Sequence, residues 1–157
     1  MAKDIEVGKQ APNFTAASDG GGNFTLSTLA GRKVVLYFYP KDDTPGCTKE
    51  ACGFSEALPD FSEADAEIVG VSKDSVVRHD KFKAKYGLPF ALVSDADGKI
   101  CESYGVWVEK MNYGRKYMGI ERSTFLIDET GKIRKVWRKV KVGGHVDEVL
   151  AAAKALG

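Results

Sequence analysis

Val34-Val35-Leu36-Tyr37-Phe38-Tyr39-Pro40-Lys41-Asp42-Asp43-Thr44-Pro45-Gly46-Cys47-Thr48-Lys49-Glu50-Ala51-Cys52 joins a strand to a helix across a short loop. Its first six residues are an unbroken apolar run, the pattern of a fully buried strand. Two prolines, two aspartates and a glycine then mark a loop. Thr44 suits an N-cap and Pro45 the first helical position, where a missing N–H costs nothing. Cys47 therefore falls in the first helical turn. Unpaired N–H groups and the helix dipole favour a negative charge there, and the thiolate is the reactive form of cysteine. Cys52 follows five residues later. On a regular helix such a pair is about 140° apart around the axis, with Cα atoms about 8.6 Å apart, beyond the disulfide limit of about 7 Å. The two thiols can stand reduced on an intact helix. They can join only if it locally unwinds.

The same alternation of apolar runs and breakers continues outward. Asn13 to Ser18 and Asn23 to Leu26 flank a glycine turn and read as a hairpin. Lys33 to Tyr39 is the first central strand, and the helix after it is predicted over Pro45 to Ala57, with Pro59 breaking or restarting it. Glu67 to Ser72 is a second apolar strand. Ser75 to Tyr86 is a polar helix stopped by Gly87 and Pro89. Phe90 to Val93 is a third strand, Asp95-Ala96-Asp97-Gly98 a turn and Lys99 to Tyr104 a short helix. Gly105 to Gly119, rich in glycine and aromatic residues, reads as a loop or edge strand packed back on the body. Ile120 to Ile127 and Lys132 to Trp137 form a hairpin, and Val146 to Leu156 a terminal helix. Strands alternating with helices predict an α/β layered domain with helices on both faces of the sheet.

At 157 residues the chain is the size of one domain, expected to span 1–157. Lys and Arg number 23 against 22 Asp and Glu, a net charge of +1 that gives no footprint for nucleic acid or an acidic membrane. No apolar run is long enough to cross a bilayer. The first residues lack the apolar core of a secretion signal, so a cytoplasmic location is expected, where the three cysteines point to reactivity rather than a structural framework. His79 and His145 form no metal-ligand spacing with those cysteines and read as surface residues. With Asp95 as the first position Lys99 occupies the fifth and Gly98 comes too early, so the stretch reads as a turn and not a calcium loop. No glycine-rich phosphate loop is present.

Pro40, Thr44 and Cys47 match the P-x-x-x-T-x-x-C pattern of peroxiredoxins. The longer string from Asp43 to Cys52 resembles the branch known as bacterioferritin comigratory protein or peroxiredoxin Q, and the chain agrees with it from about Val7 to its end. The resemblance implies a thioredoxin-like fold, a central mixed sheet with helices on both faces and an added N-terminal hairpin. It implies a thiol peroxidase acting on hydrogen peroxide and organic hydroperoxides without metal, haem or flavin. Cys47 would attack the peroxide and become a sulfenic acid, the first step of cysteine oxidation. Cys52 would resolve that acid into a Cys47–Cys52 disulfide, and a thioredoxin-type dithiol would reduce it. Thr44 would hydrogen-bond the peroxide and Pro40 would shield the sulfur from water. Arg122, at the head of an apolar strand, would bring a permanently charged fork to the sulfur, with Glu50 orienting it. Cys101 is expected to be a spare thiol or an alternative resolving residue. Analogy with many relatives implies a monomer.

Two other readings stay open at this stage. A protein disulfide oxidoreductase would use the C-x-x-C spacing that this chain lacks. A non-catalytic peroxide sensor would use the same helix melting as a switch.

Overall fold

The computed structural model describes residues 5–156. At its centre is a five-stranded sheet in the order β5-β4-β3-β8-β9. β3 (Lys33–Phe38), β4 (Ala66–Ser72) and β5 (Ala91–Ser94) run parallel, while β8 (Ser123–Ile127) and β9 (Ile133–Trp137) run antiparallel to their neighbours. All six residues of β3 are buried, as expected of a middle strand covered on both faces.

The two-residue period of β3 sorts the core into two layers. Val35, Tyr37 and Tyr39 pack with residues of α1 (Pro45–Glu63), α2 (Val76–Tyr86) and α4 (His145–Ala155). Val34, Leu36 and Phe38 face the other way, toward Ile100, Cys101 and Tyr104 of the α3 (Lys99–Ser103) region and toward Ala11 and Leu26. Gly70 on β4 has no side chain because the Tyr37 ring lies 3.0 Å from where its Cβ would stand. The N-terminal hairpin is a separate two-stranded sheet of β1 (Thr15–Ala17) and β2 (Asn23–Thr25), joined by a 3₁₀ turn at Asp19–Gly21. Phe24 of β2 and Phe14, just before β1, pack on the second layer. The mixed sheet, the helices on both faces and the added hairpin all agree with the expected thioredoxin-like architecture.

Three local expectations are corrected. First, α1 does not end near residue 57. It runs through Pro59 to Glu63, because Phe61 is buried against Phe54 with ring centroids 5.9 Å apart. That burial holds the second half of the helix in place although proline removes one helical hydrogen bond. Second, residues 105–119 are mostly strand rather than loop, and two strands rather than one. They belong to a hairpin of β6 (Trp107–Asn112) and β7 (Arg115–Ile120) that forms its own sheet. The alternation was hidden by lysines and by Asn112-Tyr113-Gly114 at the tip, where Tyr113 is 99% exposed. Third, His79 and His145 are both buried, and each is paired. Among the described residues no helix is long and apolar enough to cross a membrane.

Candidate active site

The antiparallel pairing of β3 with β8 sets Phe38 opposite Ser123. That register brings the loop at the end of β3 beside Arg122, which immediately precedes β8. α1 begins after the loop, with Thr44 at the N-cap and Pro45 in the first turn. Cys47 is 1% exposed and lies on the sheet-facing side of the helix, with Ala51 and Phe54 below it in the same cluster.

Arg122 closes the site. Its Nη2 donates to Cys47 Sγ at 3.3 Å and its Nη1 to Glu50 Oε1 at 2.6 Å, so one guanidinium spans the thiol and the carboxylate. Gly46 leaves room for it: a Cβ there would come within 3.2 Å of Nη2. Burial works against the Arg122 charge, but Glu50 and Cys47 more than restore it. Glu50 has no exposed surface, and its Oε2 has no hydrogen-bond partner among the described residues. Burial pushes the Glu50 carboxyl up to about 7, with Arg122 opposing the rise.

A cavity of about 500 Å³ opens above Arg122. Pro40 forms part of its wall, with Val108, Lys110 and Tyr117 from the β6–β7 hairpin and Lys139 and Val140 opposite. Lys110 and Tyr117 are direct cross-strand partners, so they face the cavity together. Sequence reasoning had placed Pro40 in the site, but it did not reach Val108, Lys110, Lys139 or Val140. The signal that could have found the first two was the strand alternation around the Tyr113-Gly114 turn.

Thr44 sits where the sequence placed it, but its hydroxyl does not cap the helix. Oγ1 instead donates to the Lys41 carbonyl at 2.9 Å, a bond within the loop. Cys47, Cys52 and Cys101 are all free thiols. Cys47 and Cys52 stand on one continuous α1, and Cys52 opens into a different cavity of about 550 Å³ with Val142, Gly144 and Val146 at the start of α4. Joining the two sulfurs therefore requires the helix between them to unwind. Cys101 is fully buried, and burial together with the neighbouring Asp95 carboxylate pushes its thiol far up.

The loop itself rests on a buried polar cluster. Asp42 accepts from Tyr39 Oη and lies 2.6 Å from His79 Nδ1, and its backbone N–H donates to Asp74 Oδ2 at 2.8 Å. Asp42, Asp74 and His79 are the one set of three among the described residues close enough to share an ion. Their donor atoms are taken up by one another and by Tyr39, Ser72 and Arg78. His145 pairs through Nε2 with Thr124 Oγ1 at 2.8 Å, and burial holds its imidazole down at about 4.

Comparison with known proteins places these features in company. The AhpC/TSA family model matches residues 7–136. The chain is 60% identical to a putative peroxiredoxin bcp of Coxiella burnetii over 146 residues, 93% of this chain and 97% of the relative. Among solved structures it is similar to Xanthomonas campestris peroxiredoxin Q, with a TM-score of 0.89, 50% identity and 96% of each chain covered. A trapped intermediate/ligand complex of the Xanthomonas campestris bacterioferritin comigratory protein, studied for alkyl peroxide reduction, superposes with a TM-score of 0.89 at 49% identity over 97% of each chain.

Proposed function

This chain belongs to the AhpC/TSA family and is a thiol peroxidase of the peroxiredoxin Q type, and we propose that its chemistry runs through Cys47, Arg122 and Glu50, with Cys52 resolving. The observation that carries the residue assignment is the Arg122 fork, bonded at once to Cys47 Sγ at 3.3 Å and to Glu50 at 2.6 Å. A guanidinium offers fixed donors without a proton of its own to lose. Glu50 sets the plane of the fork, so the donors are aimed before substrate arrives and cost no reorganisation during reaction.

In the first step the Cys47 thiolate attacks the distal oxygen of a hydroperoxide. An S–O bond forms as the O–O bond breaks, and the departing hydroxide or alkoxide takes up a proton to leave as water or alcohol. The Arg122 charge meets the negative charge that spreads over both oxygens. The sulfur is oxidised to a sulfenic acid. Pro40, in the cavity wall, limits water around the sulfur. The Thr44 hydroxyl turns from the Lys41 carbonyl to the bound peroxide. In the second step α1 unwinds, Cys52 attacks the sulfenic sulfur, and water leaves as the disulfide forms. A thiol reductant then returns both sulfurs to the starting state; we assign that role to a thioredoxin-type dithiol protein. On the same reading residues 1–157 act as one domain, as a monomer in the cytoplasm.

Intact mass after one equivalent of hydrogen peroxide tests the assignment. A loss of two hydrogens, mapped to the peptides of Cys47 and Cys52, is expected. Cys47→Ser should consume no peroxide. Cys52→Ser should form the sulfenic acid at the normal rate yet fail in reductant-driven turnover. Normal peroxide consumption by Cys47→Ser would end the assignment of the attacking sulfur, and full turnover by Cys52→Ser would end that of the resolving one.

A further inference from the structure

Outside the reacting groups, a buried polar cluster lies beneath the loop at 40–44. Asp42 is 3% exposed and His79 is not exposed at all. The two His79 nitrogens meet acceptors on both sides: Nε2 lies 3.0 Å from the Val93 carbonyl on β5, and Nδ1 lies 2.6 Å from Asp42 Oδ2. A carbonyl can only accept, so Nε2 must carry hydrogen. A second proton must then lie between Nδ1 and Oδ2. Without it, a ring lone pair would face a carboxylate oxygen in a dry site, and the pair would have to part.

The remaining groups around the ring are fixed as well. Asp74, at the end of β4, receives the Asp42 N–H, the Ser72 hydroxyl and Arg78 Nε, the last at 3.1 Å. Tyr39, just past the end of β3, donates to the other Asp42 oxygen, with its ring 6.5 Å from the imidazole. Phe82 supplies an apolar side on the helix that carries His79. Burial opposes a charge on His79, but the hydrogen bond and charge of Asp42, the Val93 carbonyl and Asp74 outweigh it and raise the imidazole above its ordinary 6.5.

The next residue of the loop, Asp43, is held from the same helix: Lys85 Nζ donates to it at 2.9 Å and Tyr86 Oη at 2.7 Å. Asp43 has a φ of 58°, a left-handed conformation that needs such support. Two consecutive loop residues are thus tied to α2, and they lie between Pro40 in the cavity wall and Thr44 at the head of the Cys47 helix.

We propose that His79 is a positioning residue of the peroxidase reaction: its charged pair with Asp42 holds the 40–44 loop so that Pro40 and Thr44 stand correctly over Cys47. The inference rests on Cys47 being the attacking sulfur. Loss of the His79 proton loosens the loop, so the first oxidation slows as pH rises through the titration of His79 in the folded protein.

Rapid quench with mass spectrometry would give the second-order rate constant for Cys47 oxidation by hydrogen peroxide across the neutral and alkaline range. The proteins are the reduced full chain, His79→Gln, Asp42→Asn and the double variant. NMR of the His79 ring would locate its titration in the wild type. The wild-type rate is expected to carry a falling alkaline limb that coincides with the ring titration. Each single variant should lose that limb and be slower by about tenfold or more near neutrality, the usual effect of a lost charge-assisted bond. The double variant, with an amide pair in place of the charged one, should recover part of the rate without the limb.

A single variant that keeps both rate and limb overturns the proposal. So does one slowed by the same factor at every pH with its limb intact, since that is plain structural damage. If the variants do not fold, a wild-type limb that fails to coincide with the His79 titration overturns it in their place. Absence of Cys47 oxidation in the wild type would instead remove the reading of the attacking sulfur, and this inference with it.

Discussion

Replacing Glu50 by glutamine is expected to make the reduced protein more stable above neutrality and less active. Glu50 is sealed from solvent, with one oxygen on Arg122 at 2.6 Å and the other without a partner among the described residues. Burial carries its carboxyl from an ordinary 4.5 to about 7 even against the pull of Arg122. At about 1.4 kcal/mol for each pH unit, keeping the charge inside costs the fold about 3 kcal/mol once the group is ionised. The folded chain binds this proton more tightly than the unfolded chain does. The contribution of Glu50 therefore falls as pH rises from 4.5 to about 7, and the cost is complete above that window.

Glutamine cannot ionise, yet its amide oxygen still accepts from Arg122. Urea unfolding of the reduced wild type and Glu50→Gln, at about pH 4 and about pH 8, isolates the effect because the other titrating groups cancel between the two proteins. The variant should match the wild type in acid and exceed it by about 3 kcal/mol at the higher pH. The same change weakens the bond that aims Arg122, so the first oxidation should slow by about tenfold. Identical pH dependence in the two proteins, or a variant less stable at the higher pH, would refute this account of the buried carboxylate.

Gly46→Ala should raise helix stability by up to about 1 kcal/mol while slowing Cys47 oxidation, because the new methyl meets Arg122 Nη2 at 3.2 Å. A thermal melt and a peroxide rate on one sample check it, and an unchanged rate would contradict the close approach. Cys101→Ser should leave peroxide turnover unchanged, and excess peroxide should oxidise Cys47 in the wild type well before Cys101, as peptide mass mapping would report. His145 is held neutral in the core, with its imidazole down at about 4 against an ordinary 6.5. The unfolded chain thus binds more protons between those values, and stability should drop by about 3 kcal/mol as pH falls through them. His145→Gln, which can keep the bond to Thr124, should flatten that acid limb in melts taken across the window; an unflattened limb would assign the loss elsewhere.

Much of the site was legible because its signals are local. A buried strand, a breaker-rich loop and a Thr-Pro-Gly-Cys helix start occupy a few adjacent residues, and each step has its own chemistry. Arg122 could be named only by resemblance, since nothing around Glu121-Arg122-Ser123 states that β8 lies against β3. The features that escaped are tertiary. Pro59 looks like a stop until Phe61 is seen packed on Phe54, with burial deciding against the local preference. His79 looks like a polar helix residue until Asp42 arrives from 37 positions away. His145 looks exposed at the start of a helix until Trp137 and Phe54 stack edge-on against it at 5.7 and 6.3 Å. The Thr44 hydroxyl had two partners to choose from, and only coordinates show that it takes the carbonyl of Lys41.

Cys47 and Arg122 are 75 positions apart, yet a single strand pairing, Phe38 against Ser123, is what makes them neighbours. Slipping that pairing by one residue would send the guanidinium to the opposite side of the sheet. Most of the chain between them faces no comparable demand. Length changes in the exposed turns of that stretch, away from the cavity wall and the core, leave the chemistry undisturbed provided the two paired segments keep their step. An indel of one residue within 34–38 or 123–127 should be lethal to catalysis, while a lengthened turn at the tip of the β6–β7 hairpin should be tolerated.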